Sequence, residues 1–286
     1  MGELKIKQLT KRIWYLPNSR ETDRPVLAAI IGDKYTLMMD AGNSPMHSKI
    51  FLNELKKIGV QTPDFLVFTH GHWDHVLGYS LLNMPAFAHI DTKAYMRKLE
   101  ELKWDDEALE KQVKTGITTP ACAEYIKKEY GEERHLIQIK LPSVTFKEDL
   151  QIDLGNLTCT LKHVGGDHAS DSVVLHIHEE KVLFIGDCIS PCMHSPERYY
   201  RLNVISLLLN QLSSFDCDYV IHSHAEPMTK VSFQNEVQEY RDVIEAVRKY
   251  GNDLESISNE IAIKWKRELP NEERDFFQYF LNGLKL

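Results

Sequence analysis

The feature that most constrains this chain is a cluster of histidine and aspartate residues between positions 70 and 75, in the segment Thr69-His70-Gly71-His72-Trp73-Asp74-His75. The cluster follows the apolar run Phe65–Phe68, which is typical of a strand buried on both faces. In a loop that leaves a strand, residues two apart can point the same way, so His70 and His72 can share one metal ion. Asp74 and His75 then turn toward a neighbouring ion, which predicts two adjacent metal positions.

Further residues of ligand type stand beside three other predicted strands. They are His168 before Ser172–His178, Asp187 after Val182–Ile185 and His224 after Tyr219–Ile221. Gly186 allows close approach of the backbone next to Asp187. Imidazole suits zinc, iron or copper, and an added carboxylate favours zinc, iron or manganese. The sequence therefore predicts one site, built at four strand ends, that holds two divalent metal ions, with zinc preferred and iron or manganese as alternatives.

The pattern of strands and helices predicts the α/β class. A hairpin at Glu179-Glu180 and short runs of strands need antiparallel pairing, so a sheet-on-sheet sandwich flanked by helices fits better than an all-parallel sheet. The predicted strands include Leu4–Thr10, Arg12–Leu16, Val26–Ile31, Tyr35–Met39, Leu136–Ile139 and Leu157–His163. The predicted helices are a segment from Pro45 to Gly59, another near Leu202–Leu212, a charge-rich insertion at about 91–131, and a tail from Val231 to Leu284.

The length of the chain bears on its domain organisation, and its net charge bears on the class of substrate. A chain of 286 residues suits one large domain with additions. Its formal charge of −8 at pH 7, without a long run of lysine or arginine, argues against binding of nucleic acid. We therefore expect a small-molecule substrate, and a homodimer stays open.

The N-terminal segment, the apolar runs and the cysteines bear on the cellular compartment. Met1 to Lys11 alternates charged and apolar residues, which predicts an edge strand and lacks the apolar stretch of a signal peptide. The runs Val26–Ile31 and Val204–Leu209 are too short to cross a bilayer, which takes about 20 residues. Five cysteines, an odd number, suit free thiols in a reducing compartment. We expect a cytoplasmic protein without membrane contact.

Two cysteines and a histidine offer an alternative metal cluster. Cys188 and Cys192 stand near His194 and could bind a metal ion together. Their spacing lacks a C-x-x-C pair, so a packing role is predicted for these cysteines.

The His-x-His-x-Asp-His motif and the order of the other candidates resemble the metallo-β-lactamase fold superfamily over roughly residues 1–230. The resemblance implies an αββα sandwich, here with a helical insertion at about 91–131 and a helical C-terminal extension at 231–286. It also implies that Asp187 bridges two metals and that Asp40, in Leu37-Met38-Met39-Asp40-Ala41-Gly42, supports the site from outside the coordination shell. The implied ligands are His70, His72 and His168 for one metal, and Asp74, His75 and His224 for the other.

Two loops depart from the family pattern. The loop around the third histidine is Gly-Asp-His168-Ala-Ser-Asp and lacks the usual prolines. The last loop is Ser223-His224-Ala225 where many members have Gly-His-Gly, and His222 stands two residues earlier. We select His224 as the ligand because it precedes an Ala-Glu-Pro turn that resembles the family's Gly-Glu-Pro. His222 is then predicted to pack on its strand or to support the site.

The predicted function is hydrolysis of a small-molecule ester, lactone or thioester by a metal-bound hydroxide. Asp74 is the predicted catalytic residue, because its carboxylate can orient the nucleophile and hold a proton. The alternatives are a phosphodiesterase and a non-haem iron oxidoreductase of the same fold, similar to persulfide dioxygenases. A binding protein of this fold would be marked by loss of ligands, and this chain retains them all.

Substrate choice is expected to depend on the insertion and on the loop after Asp187. The candidates for lining the pocket are Tyr95, Trp104, Tyr125, Tyr130, His194, Arg198, Tyr199, Tyr200 and Arg201. The competing interpretation is that the aromatic rings pack on the sandwich and that Arg198 or Arg201 pairs with surface acids.

Overall fold

The computed structural model describes residues 4–286, which form two β-sheets packed face to face with helices on both outer surfaces. In the first sheet the strands follow chain order. Neighbours from β1 to β4 pair antiparallel, and neighbours from β4 to β7 pair parallel. Its strands are β1 (Lys7–Gln8), β2 (Ile13–Leu16), β3 (Leu27–Ile31), β4 (Thr36–Met39), β5 (Phe65–Val67), β6 (Ala86–His89) and β7 (Val144–Phe146).

The second sheet has the strand order β13-β12-β11-β10-β9-β8. Strands β10 and β11 form the hairpin predicted at Glu179-Glu180, with Ile177 paired to Val182. Strands β11 and β12 run parallel, whereas the other neighbours are antiparallel. The strands are β8 (Asp149–Asp153), β9 (Thr158–His163), β10 (Val173–Ile177), β11 (Val182–Gly186), β12 (Tyr219–His222) and β13 (Met228–Thr229).

Several helices start at side-chain caps. Helix α1 begins where the Ser44 hydroxyl accepts a hydrogen bond from the backbone N–H of His47 at 3.0 Å, with Pro45 in its first position. Helix α7 begins in the same way at Thr229. The helices are α1 (Pro45–Lys57), α2 (Trp73–Val76), α3 (Ile90–Glu100), α4 (Asp106–Lys114), α5 (Pro120–Tyr130), α6 (Leu202–Ser213), α7 (Lys230–Tyr250), α8 (Leu254–Trp265) and α9 (Asn271–Gly283).

Alternation of side chains along the strands builds three apolar layers. In β3, Ala28 and Ile30 face the second sheet, while Leu27 and Ala29 face the helices α1, α3, α4 and α5. In β11, Phe184 faces the first sheet, while Leu183 faces the helices α6 to α9. The order of layers is thus helix, sheet, sheet, helix, which confirms the predicted αββα sandwich and the α/β class.

The insertion and the tail occupy opposite outer faces. Helices α3, α4 and α5 cover the first sheet and correspond to the insertion predicted at about 91–131. Helix α7 begins at Lys230, and a domain boundary between residues 230 and 231 stays a prediction. Helices α7 to α9 share one apolar core with β11 and α6, in which Phe277 and Phe280 are fully buried. The extension at 231–286 therefore packs directly on the sandwich.

Two predictions about strands have different outcomes. The predicted edge strand at the start of the chain is present as β1 at the edge of the first sheet, and residues 1–3 of that segment lie outside the described residues. The strand predicted at Leu136–Ile139 is wrong, because Gly131–Leu136 is a 3-10 helix and β7 begins only at Val144. Apolar and polar residues alternate in this segment because Ile137 and Ile139 pack on the core of the first sheet. The segment does so without pairing to a strand.

None of the helices in residues 4–286 combines the length and the apolar character needed to cross a membrane. All five cysteines are free thiols, as predicted.

Candidate metal centre

Topology brings the predicted site residues to one edge of the sandwich. The motif at 70–75 follows β5, which is parallel to β4, and Asp40 follows β4. Asp187 follows β11, and His224 follows its parallel neighbour β12. Because the carboxyl ends of parallel strands meet at the same sheet edge, four loops converge there. His168 reaches the same place from the loop between β9 and β10.

The first group of candidate ligands consists of three buried imidazoles, those of His70, His72 and His168. The ring centroids lie 4.5 Å apart for His70 and His72, 4.6 Å for His72 and His168, and 5.1 Å for His70 and His168. Burial lowers the pKa of each of these three rings, so they are neutral at pH 7. Three neutral imidazoles with nitrogen atoms directed at one another form a donor set suited to a cation.

The second group consists of Asp74, His75, Asp187 and His224, whose nearest ligand atoms all lie within 4.8 Å of one another. Nε2 of His224 lies 3.2 Å from Oδ2 of Asp74 and 3.3 Å from Oδ2 of Asp187. Nε2 of His75 lies 3.1 Å from the same Asp74 oxygen. Two carboxylates therefore face two imidazoles.

Asp187 lies between the two groups. Its Oδ2 atom is 3.5 Å from Nε2 of His168 in the first group. The same atom is 3.4 Å from Nε2 of His75 and 3.3 Å from Nε2 of His224 in the second group. One carboxylate oxygen thus contacts imidazoles from both groups, which is the arrangement that a bridging ligand requires.

The electrostatics of the second group favour a positive charge. Burial disfavours the charged form of His75, but Asp74 and Asp40 outweigh burial and raise the pKa of His75 well above its usual value. In the same way, Asp187 and Asp74 overcome burial and raise the pKa of His224. These carboxylates need compensating cations, which protons or metal ions can supply.

Unsatisfied nitrogen atoms support the fit to a metal. Nε2 of His75 and Nε2 of His168 are buried, and although carboxylate oxygens lie 3.1 to 3.5 Å away, neither nitrogen makes a hydrogen bond of adequate geometry among the described side chains. Leaving such atoms without a partner is costly, whereas coordination of a cation uses their lone pairs. The donor chemistry of both groups therefore fits divalent metal ions.

Asp40 supports the centre from behind. Its two carboxylate oxygens accept hydrogen bonds from the backbone N–H and the hydroxyl of Thr69, at 2.7 and 2.8 Å. Its Oδ2 also lies 2.8 Å from Nδ1 of His75. Asp40 has a φ of 54°, in the left-handed region that favours glycine. This strained residue orients both the motif loop and the ring of His75.

The two histidines of the last loop have different surroundings. His224 belongs to the second group. His222 lies at the end of β12, and its Nε2 is 3.2 Å from a carboxylate oxygen of Glu236 in α7. Of the two, the structure brings only His224 to the other candidate ligands among the described residues. Cys188, Cys192 and His194 do not form a converging group of that kind within residues 4–286.

A cleft of about 390 Å³ opens over residues of both groups. Of the substrate-site candidates, His194, Arg198 and Tyr200 line it. Tyr95 does not line the cleft, although its ring lies 5.7 Å from that of His72, and Trp104 is buried in the core of the first sheet. Arg201 forms an ion pair with Asp167 at 2.6 Å, so the competing interpretation is right that this residue pairs with an acid, but the carboxylate is buried and does not lie at the surface.

Sequence reasoning missed Asp23 and the contribution of helix α9. Oδ1 of Asp23 lies 3.5 Å from Nδ1 of His224, and Asp23 has a φ of 58°. Phe276 and Tyr279 of α9 line the cleft more than 50 residues beyond the last motif. An aspartate whose backbone has a positive φ gives no signal in the sequence. The apolar face of α9 has the same sequence pattern as a face that packs in the core.

The loop that carries Asp23 is fixed by helix α5. The hydroxyl of Thr22 donates to Glu129 at 2.5 Å, and the guanidinium of Arg24 donates to the same carboxylate at 2.8 Å. Ser44 donates a further hydrogen bond to Glu129 at 2.5 Å. The residues on both sides of Asp23 are thus tied to one buried carboxylate of the insertion.

Known proteins share this fold. The metallo-beta-lactamase from Pontibacter korlensis superposes with a TM-score of 0.58 at 16% identity, over 83% of this chain and 99% of that one. The stereoselective inverting sec-alkylsulfatase Pisa1 from Pseudomonas sp. superposes with a TM-score of 0.64 at 14% identity, over 96% of this chain and 47% of that one. At these identities the likeness shows the fold alone.

One curated relative is similar in sequence. The Acyl-coenzyme A thioesterase MBLAC2 of Homo sapiens is 26% identical over 140 residues, which are 48% of this chain. The chain spans 45% of the length of that relative.

The family assignment comes from a comparison over most of the chain. A family model described as the Metallo-beta-lactamase superfamily matches residues 22–224, which include the motif at 70–75, His168, Asp187 and His224. Since this match covers more than half of its 286 residues, the chain belongs to the metallo-beta-lactamase superfamily.

Proposed function

We propose that this protein is a hydrolase with two divalent metal ions that cleaves a small-molecule carboxylic ester, lactone or thioester. The observation that carries the proposal is the position of Asp187, whose Oδ2 atom contacts imidazoles of both candidate groups at 3.3 to 3.5 Å. A carboxylate in that position suits a pair of cations better than a single one. Zinc is the proposed metal, with iron or manganese as alternatives.

Each side chain has a defined task in this proposal. Three neutral imidazoles, those of His70, His72 and His168, would hold one ion. His75, His224 and Asp74 would hold the other, with Asp187 shared between the two ions. Two cations held there would lower the pKa of a water molecule and polarise a carbonyl oxygen. Asp40 keeps His75 in the orientation that leaves Nε2 free to bind.

Asp74 is the proposed catalytic residue. Its carboxylate is largely buried and lines the cleft, where a substrate would bind in this proposal. Burial opposes its charged form, but His75 and His224 outweigh burial and lower the pKa of Asp74, so it is ionised and can accept a hydrogen bond from the attacking water. In thioester hydrolysis the new C–O bond replaces the C–S bond, and the proton lost by water ends on the leaving thiolate.

The thioester class has the most specific support among the three. The curated relative that is 26% identical over 140 residues is named as an acyl-coenzyme A thioesterase. From the absence of a run of basic residues and the net charge of −8, we propose a small-molecule substrate rather than nucleic acid. From the free cysteines, we propose a cytoplasmic location.

A panel of substrates tests the proposal. Metal-loaded protein is assayed with a thioester, a carboxylic ester, a lactone and a phosphodiester, and oxygen uptake is followed in parallel with a persulfide. The proposal expects hydrolysis of at least one of the first three substrates and no oxygen uptake. Cleavage of the phosphodiester alone, or oxygen uptake without hydrolysis, would replace the proposed class by one of the alternatives. Asp74→Asn should lower turnover while thermal unfolding stays close to that of the wild type.

A further inference from the structure

The cleft over the candidate metal centre has one wall that the superfamily motifs do not supply. This wall consists of the loop after β11 and the face of α9. Phe276 and Tyr279 present aromatic surface, and Met193 and Trp73 add to the apolar lining of the cleft. The cleft therefore offers an apolar surface next to the ligand groups.

Arg198 supplies the positive charge of this wall. Within the described residues, it is the single lysine or arginine that lines the cleft. No carboxylate among the side chains that the structure describes lies within ion-pair distance of Arg198, and its guanidinium donates one long hydrogen bond, 3.4 Å, to the hydroxyl of Tyr279. The neighbouring Arg201 differs, because Asp167 neutralises it at 2.6 Å. Arg198 thus retains donors that can bind an anion.

Helix α9 fixes the backbone that carries Arg198. The side-chain amide of Asn282 donates to the carbonyl oxygen of Arg198 at 2.9 Å. The backbone N–H of Tyr200 donates to the carbonyl oxygen of Tyr279 at 2.9 Å. A Cβ atom on Gly283 would lie 1.8 Å from the carbonyl oxygen of Tyr200, so the helix and the loop are in direct backbone contact. The guanidinium is therefore held at the cleft by the C-terminal extension.

The other charged side chains at the cleft leave one place for an anionic group. Asp23, Asp74 and Asp187 also line it, and all three lie on the side of the ligand groups. A negatively charged part of a substrate is repelled by uncompensated carboxylates there and attracted by the guanidinium of Arg198 beside Tyr279. The scissile carbonyl can then face the ligand groups while the anion lies away from them.

We propose that the cleft selects substrates that carry a carboxylate remote from the scissile bond, that Arg198 binds this carboxylate, and that the apolar face of α9 holds the carbon chain between the two. The inference rests on the proposed function, since it names the substrate class of the same site. The carboxylate can belong to the acyl part or to the leaving thiol, and the two sources need separate probes.

Binding of analogues without a scissile bond tests the proposal independently of catalysis. Three thioethers of equal length are titrated by calorimetry into the metal-loaded protein: a neutral one, one with a carboxylate on the alkyl side that replaces the acyl group, and one with a carboxylate on the thiol side. At least one carboxylated thioether should bind roughly tenfold more tightly than the neutral one, because a charge-assisted hydrogen bond to arginine forms. This preference should decrease as salt is added.

Substitutions assign the preference to a residue. Arg198→Gln should bring the ratio of affinities for carboxylated and neutral thioethers close to one, and Arg198→Lys should retain part of it. Arg274→Gln, at an exposed position of α9 outside the cleft, removes the same charge and should leave the ratio unchanged. A carboxylate preference that persists in Arg198→Gln, or that falls equally in Arg274→Gln, overturns the proposal.

The corresponding thioesters separate this inference from the proposed function. If the neutral and carboxylated thioethers bind alike while thioesters are hydrolysed, the hydrolase proposal stands and the role of Arg198 is wrong. If Arg198 governs binding of the carboxylated thioether but no thioester, ester or lactone is cleaved, the binding site stands and the hydrolase proposal is wrong. Failure of every carboxylated thioether to bind contradicts the inference directly.

Discussion

The carboxylate of Asp40 lies 2.8 Å from Nδ1 of His75, so the opposite nitrogen of that ring, Nε2, faces Asp74 at 3.1 Å. Asp40 also accepts two hydrogen bonds from Thr69, the residue before the motif. The strained backbone at Asp40 and the orientation of a candidate ligand are therefore coupled through one carboxylate.

This coupling predicts the effect of Asp40→Asn. The amide keeps the shape of the side chain but accepts hydrogen bonds at one atom only, so the ring of His75 loses its fixed orientation. We expect the affinity for metal to fall by about 10- to 100-fold. Competition with a fluorescent chelator measures the change. Asp33→Asn, an exposed carboxylate that pairs with Arg12, is the control and should leave metal affinity unaltered.

A second prediction compares Asp187 with His222. Asp187→Ala removes the oxygen that contacts three imidazoles, so the protein should lose activity and at least part of its metal. His222→Ala should retain most of its metal, because His222 lies beside Glu236. Metal analysis by mass spectrometry of both purified variants checks this. Equal loss of metal in the two variants would contradict the choice of His224 over His222.

A third prediction concerns acid stability through Glu129. Its side chain is 2% exposed, and although burial opposes ionisation, hydrogen bonds from Arg24, Ser44 and Thr22 lower its pKa below the usual value of 4.5. A depressed pKa in the folded state means that the stabilisation is present above pH 4.5 and disappears as the pH falls through the folded value.

The test of this prediction is urea unfolding at pH 7 and at pH values below 4.5. Glu129→Gln should be less stable than the wild type at pH 7 by about 2 kcal/mol, because Arg24 loses its buried partner. The difference between the two proteins should shrink as the pH falls. Glu132→Gln, at an exposed position nearby, should follow the wild type at each pH. A constant difference across this range would show that ionisation of Glu129 does not stabilise the fold.

A fourth prediction concerns the contact between α9 and the loop after β11. Gly283→Ala places a Cβ atom against the carbonyl oxygen of Tyr200, so the helix must shift, at a cost of about 1–3 kcal/mol in the free energy of unfolding. Leu284→Ala, at a position that is 41% exposed, should cost less. Thermal and urea unfolding of both variants measure the effect. If Gly283→Ala is as stable as the wild type, the tight backbone contact is not present in solution.

The fold was predictable where the sequence pattern reflects burial on both faces. The strand at Phe65–Phe68 and the hairpin at Glu179-Glu180 were recognised because apolar runs and a tight turn are local signals. Strand β8 (Asp149–Asp153) was missed, because it lies at the edge of its sheet and exposes both of its aspartates. The segment at Leu136–Ile139 was mistaken for a strand, since alternation shows which residues are buried but not whether a partner strand exists.

The candidate site also contains residues that the sequence could predict and residues that it could not. The motif at 70–75 places four candidate ligands within six residues, so the sequence alone was sufficient to propose them. Asp23 could not be proposed, because its approach to His224 depends on the Glu129 contacts between distant segments. Arg198 was one of several candidates, and it differs from Arg201 through contacts between distant segments, because Asp167 pairs with Arg201 whereas Asn282 of α9 binds the carbonyl oxygen of Arg198.

The most direct test of the central claim is the metal stoichiometry at which hydrolysis is restored. Protein stripped with a chelator is titrated with zinc, iron or manganese, and bound metal and cleavage of the best thioester, ester or lactone are measured on the same samples. We predict that activity reaches its maximum at two metal ions per chain and that Asp187→Ala does not reach it. Full activity at one ion per chain, or a single iron with oxygen uptake and no hydrolysis, would contradict the account.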